Sequence, residues 1–188
     1  TQRLNAVAKI EGNSQGRLNF SVFAKAASDF VTNRTGFTIL HPLENVVGQP
    51  VDVTHTDGTQ TLQWFPENIS PGQPIFDIRA LTHQVGPELT ATVLMEGGKF
   101  EMEDHRNWMD ASFKTYSGSL LDPWPYTIER GENINQTVTL TVSGLNQPTK
   151  FQPPKKTISV SLGKPTEALP DFGTALSLTG PADVHEVS

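Results

Sequence analysis

The chain has 188 residues, a formal net charge of -6 and no cysteine. That length supports one substantial domain with its own core, while the charge and the lack of any basic stripe exclude a nucleic-acid partner. No apolar run is long enough to span a membrane, and without Cys there are no disulfides or thiolate metal sites, which fits a cytoplasmic, reducing setting.

Taken in order, the stretches alternate with period two, the mark of half-buried strands. "RLNFSVF" puts Leu18, Phe20 and Val22 on one side, and "GFTILHP" does the same with Phe37, Ile39 and His41. Val51 and Val53 in "PVDVTH" precede an Asp57-Gly58 turn, with "TLQWF" as the expected hairpin partner. "IFDIRALTHQV" sorts into Phe76, Ile78 and Ala80 against Asp77, Arg79, Leu81 and His83. "ELTATVLME" alternates, and Gly97-Gly98 turns the chain into "KFEMEDH". "QTVTLTV" and "TISVSL" carry bare Thr/Ser faces that read as solvated. With 15 Gly and 14 Pro, the prediction is an all-β antiparallel β-sandwich with long Pro-rich loops and little helix. The loops are Phe65–Ile75 and Leu120–Tyr126, stiffened by proline. Residues 1–150 read as the β-sandwich domain. Residues 151–188 read as a last strand and a linker leading out of it.

Chemistry concentrates in "GGKFEMEDHRNWMDASFKTY", Gly97 to Tyr116. On a strand, Phe100, Met102 and Asp104 face the core and Glu101, Glu103 and His105 face away. Carboxylates two residues apart stand about 6.6 Å from each other, with an imidazole next. Such a set suits general acid–base work, so Glu101, Glu103 and His105 are the catalytic candidates. The same carboxylates equally suit an Arg-linked structural network using Arg34, Arg79, Arg106 and Lys114. Arg106, Asn107, Trp108 and Asp110 follow as candidate substrate contacts, joined by Gln73 between two prolines and by His83 on a polar strand face. His41 reads as a packed, hydrogen-bonded histidine. The spacing is no metal signature, and no phosphate loop, nucleophile elbow or zinc-protease motif occurs; no metal or cofactor is expected.

Together, "NRTGFTILHPL", "WFPENISPGQPIFDIRALTH", "FEMEDHRNWMDASFKTY" and "PWPY" resemble the amino-terminal β domain of the D-apionate lactonase family, over roughly residues 1–150. The resemblance implies a β domain that precedes a (β/α)-barrel-like domain, with "ALPDFGTALSL" similar to the lead-in. It implies hydrolysis of a branched sugar-acid lactone by the whole protein, and it assigns no catalytic residue here. The leading expectation is an accessory domain of such a hydrolase, bracing or completing the site of the C-terminal barrel domain of the same chain and inactive alone. Its ligand would be a sugar-acid lactone or another carbohydrate. Two alternatives stand: a carbohydrate-binding or aldose-epimerase (mutarotase-like) β-sandwich, and a purely structural interaction domain.

Overall fold

Alternation of Val, Leu, Phe and Thr with polar residues yields strands and almost nothing else. The computed structural model describes residues 3–144. Its strands are β1 Leu4–Gly12, β2 Arg17–Ala26, β3 Phe30–Thr32, β4 Thr38–Pro42, β5 Pro50–His55 and β6 Gln60–Trp64. They continue with β7 Ile75–Gly86, β8 Leu89–Glu96, β9 Phe100–Asp104, β10 Ser112–Ser117, β11 Tyr126–Ile128 and β12 Asn133–Ser143. A 3-10 helix, His105–Trp108, is the one helical element among the described residues. None there is long and apolar enough to cross a membrane. The expected strand "TISVSL" and the linker in 151–188 lie outside the described residues.

The pairing is antiparallel throughout, so the expected all-β antiparallel class holds. Ten strands form one curled sheet; β3 and β11 pair separately. Strand β7 is its spine. Ile78 pairs with His55 of β5 on one edge and with Phe100 of β9 on the other. Leu94 of β8 pairs with Ala80 on that same second edge, so β8 and β9 lie end to end along β7. Between them, at Gly97-Gly98, the sheet forks. One arm runs β8-β12-β2-β1 and the other β9-β10-β4. The arms fold toward each other and enclose the core, where Phe65, Phe100, Phe113, Ile75, Ile78, Leu81, Met95 and Met102 are fully buried.

The Asp57-Gly58 hairpin forms as expected, joining β5 to β6. Two expectations are corrected. The faces of β7 do not simply alternate. An extra residue falls between Ile75 and Ile78, where Asp77 has φ 52°, and another between Ile78 and Ala80 opposite β5. Each bulge shifts the register by one. Ile75, Ile78, Leu81 and His83 therefore all point inward, while Phe76 and Arg79 are exposed. His83 thus leaves the polar face expected for it. The Thr face of β12 is only partly solvated: Thr141 is exposed, but Thr139 is buried and donates to Asn19 Oδ1 at 2.8 Å.

His41 and His83 are both buried, 5.9 Å apart between ring centres, and both pack against Phe65. His41 Nε2 bonds the Thr115 hydroxyl at 2.9 Å. Burial, and then the neighbouring imidazole, lower the His41 pKa to about 4; burial lowers His83 as well. A histidine depressed on folding contributes stability fully above its unfolded value, about 6.5, and loses it as pH falls toward the folded value. Between pH 6.5 and 5, His41 alone should cost the fold about 2 kcal/mol. Urea melts at those two pH values check this, with His41→Gln expected to shrink the difference to the part that His83 contributes. An unchanged slope in the variant would place the acid sensitivity elsewhere.

Candidate functional site

The β9–β10 register decides what the ionisable segment does. Glu103 pairs with Lys114, Glu101 with Tyr116 and Asp104 with Phe113. Directly opposed residues share a face, so each carboxylate receives a different neighbour.

Glu101 and Asp104 are both 0% exposed, on opposite faces. Glu101 accepts from the Tyr116 hydroxyl at 2.5 Å, the Ser119 hydroxyl at 2.6 Å and the Leu120 N–H at 2.7 Å. The loop after β10 therefore closes over it. The Tyr116 phenol is pushed up, first by burial and then by its bond to Glu101. Gln73 Nε2 donates to the same hydroxyl at 3.3 Å.

Asp104 takes the fork of Arg106, with Nε on Oδ1 at 2.9 Å and Nη2 on Oδ2 at 2.7 Å, plus the Ser70 N–H at 2.9 Å. Burial pushes its carboxyl up, and the guanidinium and backbone N–H groups outweigh this to hold it below its usual value. Arg106 also donates to the carbonyls of Pro66, Glu67 and Asn68 and lies 5.0 Å over the Phe113 ring. The proline-rich loop is thus fastened by its carbonyls. Asp104 Oδ1 further accepts the Arg106 N–H, capping the 3-10 helix. That cap ends the strand one residue earlier than expected, so His105 begins the helix instead of extending β9.

Glu103 is half-buried. Lys114 Nζ contacts it at 2.5 Å, Trp108 Nε1 donates at 2.8 Å and His105 Nε2 stands 3.9 Å away. Burial raises its carboxyl, but the bonds from Lys114 and Trp108 prevail and lower it, making it a weak base. Around it opens a cleft of about 470 Å³ lined by Arg34, Thr38, Glu103, His105, Trp108, Lys114, Tyr116 and Leu120. A second cavity of about 450 Å³ adjoins it, sharing Glu103, Trp108 and Leu120 and adding Pro71, Gly72, Gln73 and Asn107. Arg34 and Lys114 both stand against the Tyr116 ring, 4.9 and 5.3 Å from its centre. Among the described residues no group of three or more His, Asp or Glu is placed to hold a metal ion.

Residues 1–145 match the family described as D-apionate lactonase, N-terminal domain. The chain belongs to that family. A relative named D-apionate lactonase, from Brucella anthropi, is 43% identical over 173 residues, covering 89% of this chain and 28% of the relative. The chain thus spans under a third of that curated relative's length. No solved structure matches it.

Within this D-apionate lactonase N-terminal domain, the segment singled out in the sequence divides by role. Glu103, His105 and Trp108 meet in the cleft, and Gln73 and Asn107 line the adjoining cavity. Asp110 reaches His105 Nδ1 from outside at 3.4 Å. Glu101 sits behind the Tyr116 wall, Arg106 turns away onto the 66–68 backbone, and His83 lies in the core. Sequence reasoning missed Thr38, Tyr116 and Leu120, and it placed Arg34 and Lys114 only in a structural network. The Glu103–Lys114 pairing had a signal, two adjacent strands of matching alternation. Arg34 had none, because it arrives from a loop far earlier in the chain.

Proposed function

We propose that this domain is the accessory N-terminal part of a longer sugar-acid lactone hydrolase. In this reading a barrel domain C-terminal to it, starting beyond residues 151–188, carries the reaction, and the present domain braces or completes its site. The observation that supports the reading is that the three carboxylates of β9 are already engaged by donors within the domain. Glu101 is held by three donors, Asp104 by Arg106 and Ser70, and Glu103 by Lys114 and Trp108. Lactone hydrolysis needs a free base for water and an oxyanion stabiliser. Carboxylates bound this way are poor bases but good fixtures for a binding wall. The same engagement speaks against a self-contained mutarotase-like site, which also needs an uncommitted carboxylate.

The 188-residue chain should not turn over the lactone of D-apionate, whereas the full-length protein should. Glu103→Gln in the full-length protein should lower kcat/KM about tenfold, equivalent to ~1.4 kcal/mol. The partly exposed ion pair should cost the isolated chain no more than about 1 kcal/mol. Saturable turnover by the isolated chain, or full activity in the variant, sinks the accessory reading.

A further inference from the structure

We propose that the cleft on the outer face of β9 and β10 is a binding site for an aldonate, a small polyhydroxy carboxylate, with Trp108 as its platform and Arg34 and Lys114 as its anion anchors. Trp108 carries the argument. A tryptophan at the end of such a connection ordinarily covers a core edge, yet this one, the last residue of the 3-10 helix, is 67% exposed. Its indole N–H is nonetheless held by Glu103 at 2.8 Å. The ring is therefore fixed in orientation while its face stays uncovered, the arrangement that stacks against the C–H face of a sugar at little ordering cost.

Charge selects the acid over the neutral sugar. Arg34 has no carboxylate within ion-pair distance among the described residues, and only its Nε is engaged, on the Gly118 carbonyl at 3.2 Å. Its two terminal nitrogens remain to form a bidentate pair with an incoming carboxylate. Lys114 lines the same cleft and stands against the same Tyr116 ring, 5.3 Å from its centre. Glu103 already pairs with Lys114, and the Glu101 carboxylate lies behind the Tyr116 wall, so Arg34 is the cation of the cleft lining left without a carboxylate among the described residues. The Glu103 carboxylate, already fixed by two donors, retains acceptor capacity for a sugar hydroxyl. A volume of about 470 Å³ falls in the range of small-molecule sites.

This inference rests on the cleft of this chain and not on lactone turnover, so its failure leaves the accessory role to be judged on the full-length enzyme. Calorimetric titration of the 188-residue chain with D-gluconate and L-threonate tests it, beside D-glucose and acetate. At least one aldonate should bind with a Kd of about 1 mM, the scale for a ligand of this atom count. Glucose and acetate should each bind at least tenfold more weakly. Trp108→Ala and Arg34→Gln should each weaken the aldonate at least tenfold, with Trp108→Phe and Arg34→Lys intermediate. The exposure of Trp108 makes a folded Trp108→Ala chain the expected result, checked by its melt. The proposal is overturned if neither aldonate saturates by about 20 mM. It is equally overturned if acetate or glucose binds as well, or if folded Trp108 variants bind unchanged.

Discussion

Arg106→Ala should lower the stability of the chain by about 3–5 kcal/mol, the usual cost of removing one partner from a buried ion pair. Asp104 is 0% exposed, and without the guanidinium it keeps only the backbone N–H groups of Ser70 and residue 106. The side chain also holds three carbonyls of the 66–68 segment, so the loss is larger than that of a simple pair. A double variant isolates this second part. Replacing Asp104 and Arg106 together with apolar residues removes the stranded charge, and a pure ion pair would then recover most of the stability. Here recovery should be partial, because the loop carbonyls stay undocked. Arg106→Lys should fall between, retaining charge but losing the fork. At roughly 3 °C per kcal/mol for a domain of this size, the Arg106→Ala melt should drop by about 9 °C or more. A shift of a degree or so would mean that the pair is solvated and the loop is held otherwise.

What could be read from the sequence was local. Alternation within "KFEMED" assigns Asp104 to the core side and Glu103 to the outer side, and both stand there. The same reading makes Glu101 an outward carboxylate, but what covers it is a loop nearly twenty residues on, which period cannot reveal. Along β7 simple alternation breaks because a bulge adds a residue without changing composition, and each bulge inverts every later facing. The cleft was half legible. Its β9 and helix residues come from one dense segment, whereas Arg34 and Thr38 enter through tertiary closure. The family resemblance reached further than these arguments because it draws on the order of whole blocks, from "NRTGFTILHPL" to "PWPY", and not on any one spacing.

At Gly97-Gly98 the chain turns from β8 into "KFEMEDH", as the sequence suggests. The strands on either side are not paired; they run in line along β7 and send the sheet two ways. Gly97 sits at φ 87°, and a Cβ there would overlap the Asn135 carbonyl oxygen and stand 3.0 Å from Gln136 Cα. That backbone cannot retreat. Thr137 is paired with Glu96 of β8, and Gln136 ties the two arms together, donating to the Ser117 hydroxyl at 2.6 Å and accepting from the Phe37 N–H at 2.8 Å. Gly58, in the β5–β6 hairpin, has the same φ of 87° with nothing within 4 Å of its would-be Cβ. The two sites therefore separate strain from collision. Gly58→Ala should cost only the left-handed penalty, about 1–2 kcal/mol. Gly97→Ala carries that penalty and the backbone clash, and should reach about 4 kcal/mol or more, among the largest single-site effects. Urea unfolding of the two variants side by side decides it. Equal losses would mean that the fork has slack and that the joint between the arms lies elsewhere than at Gly97.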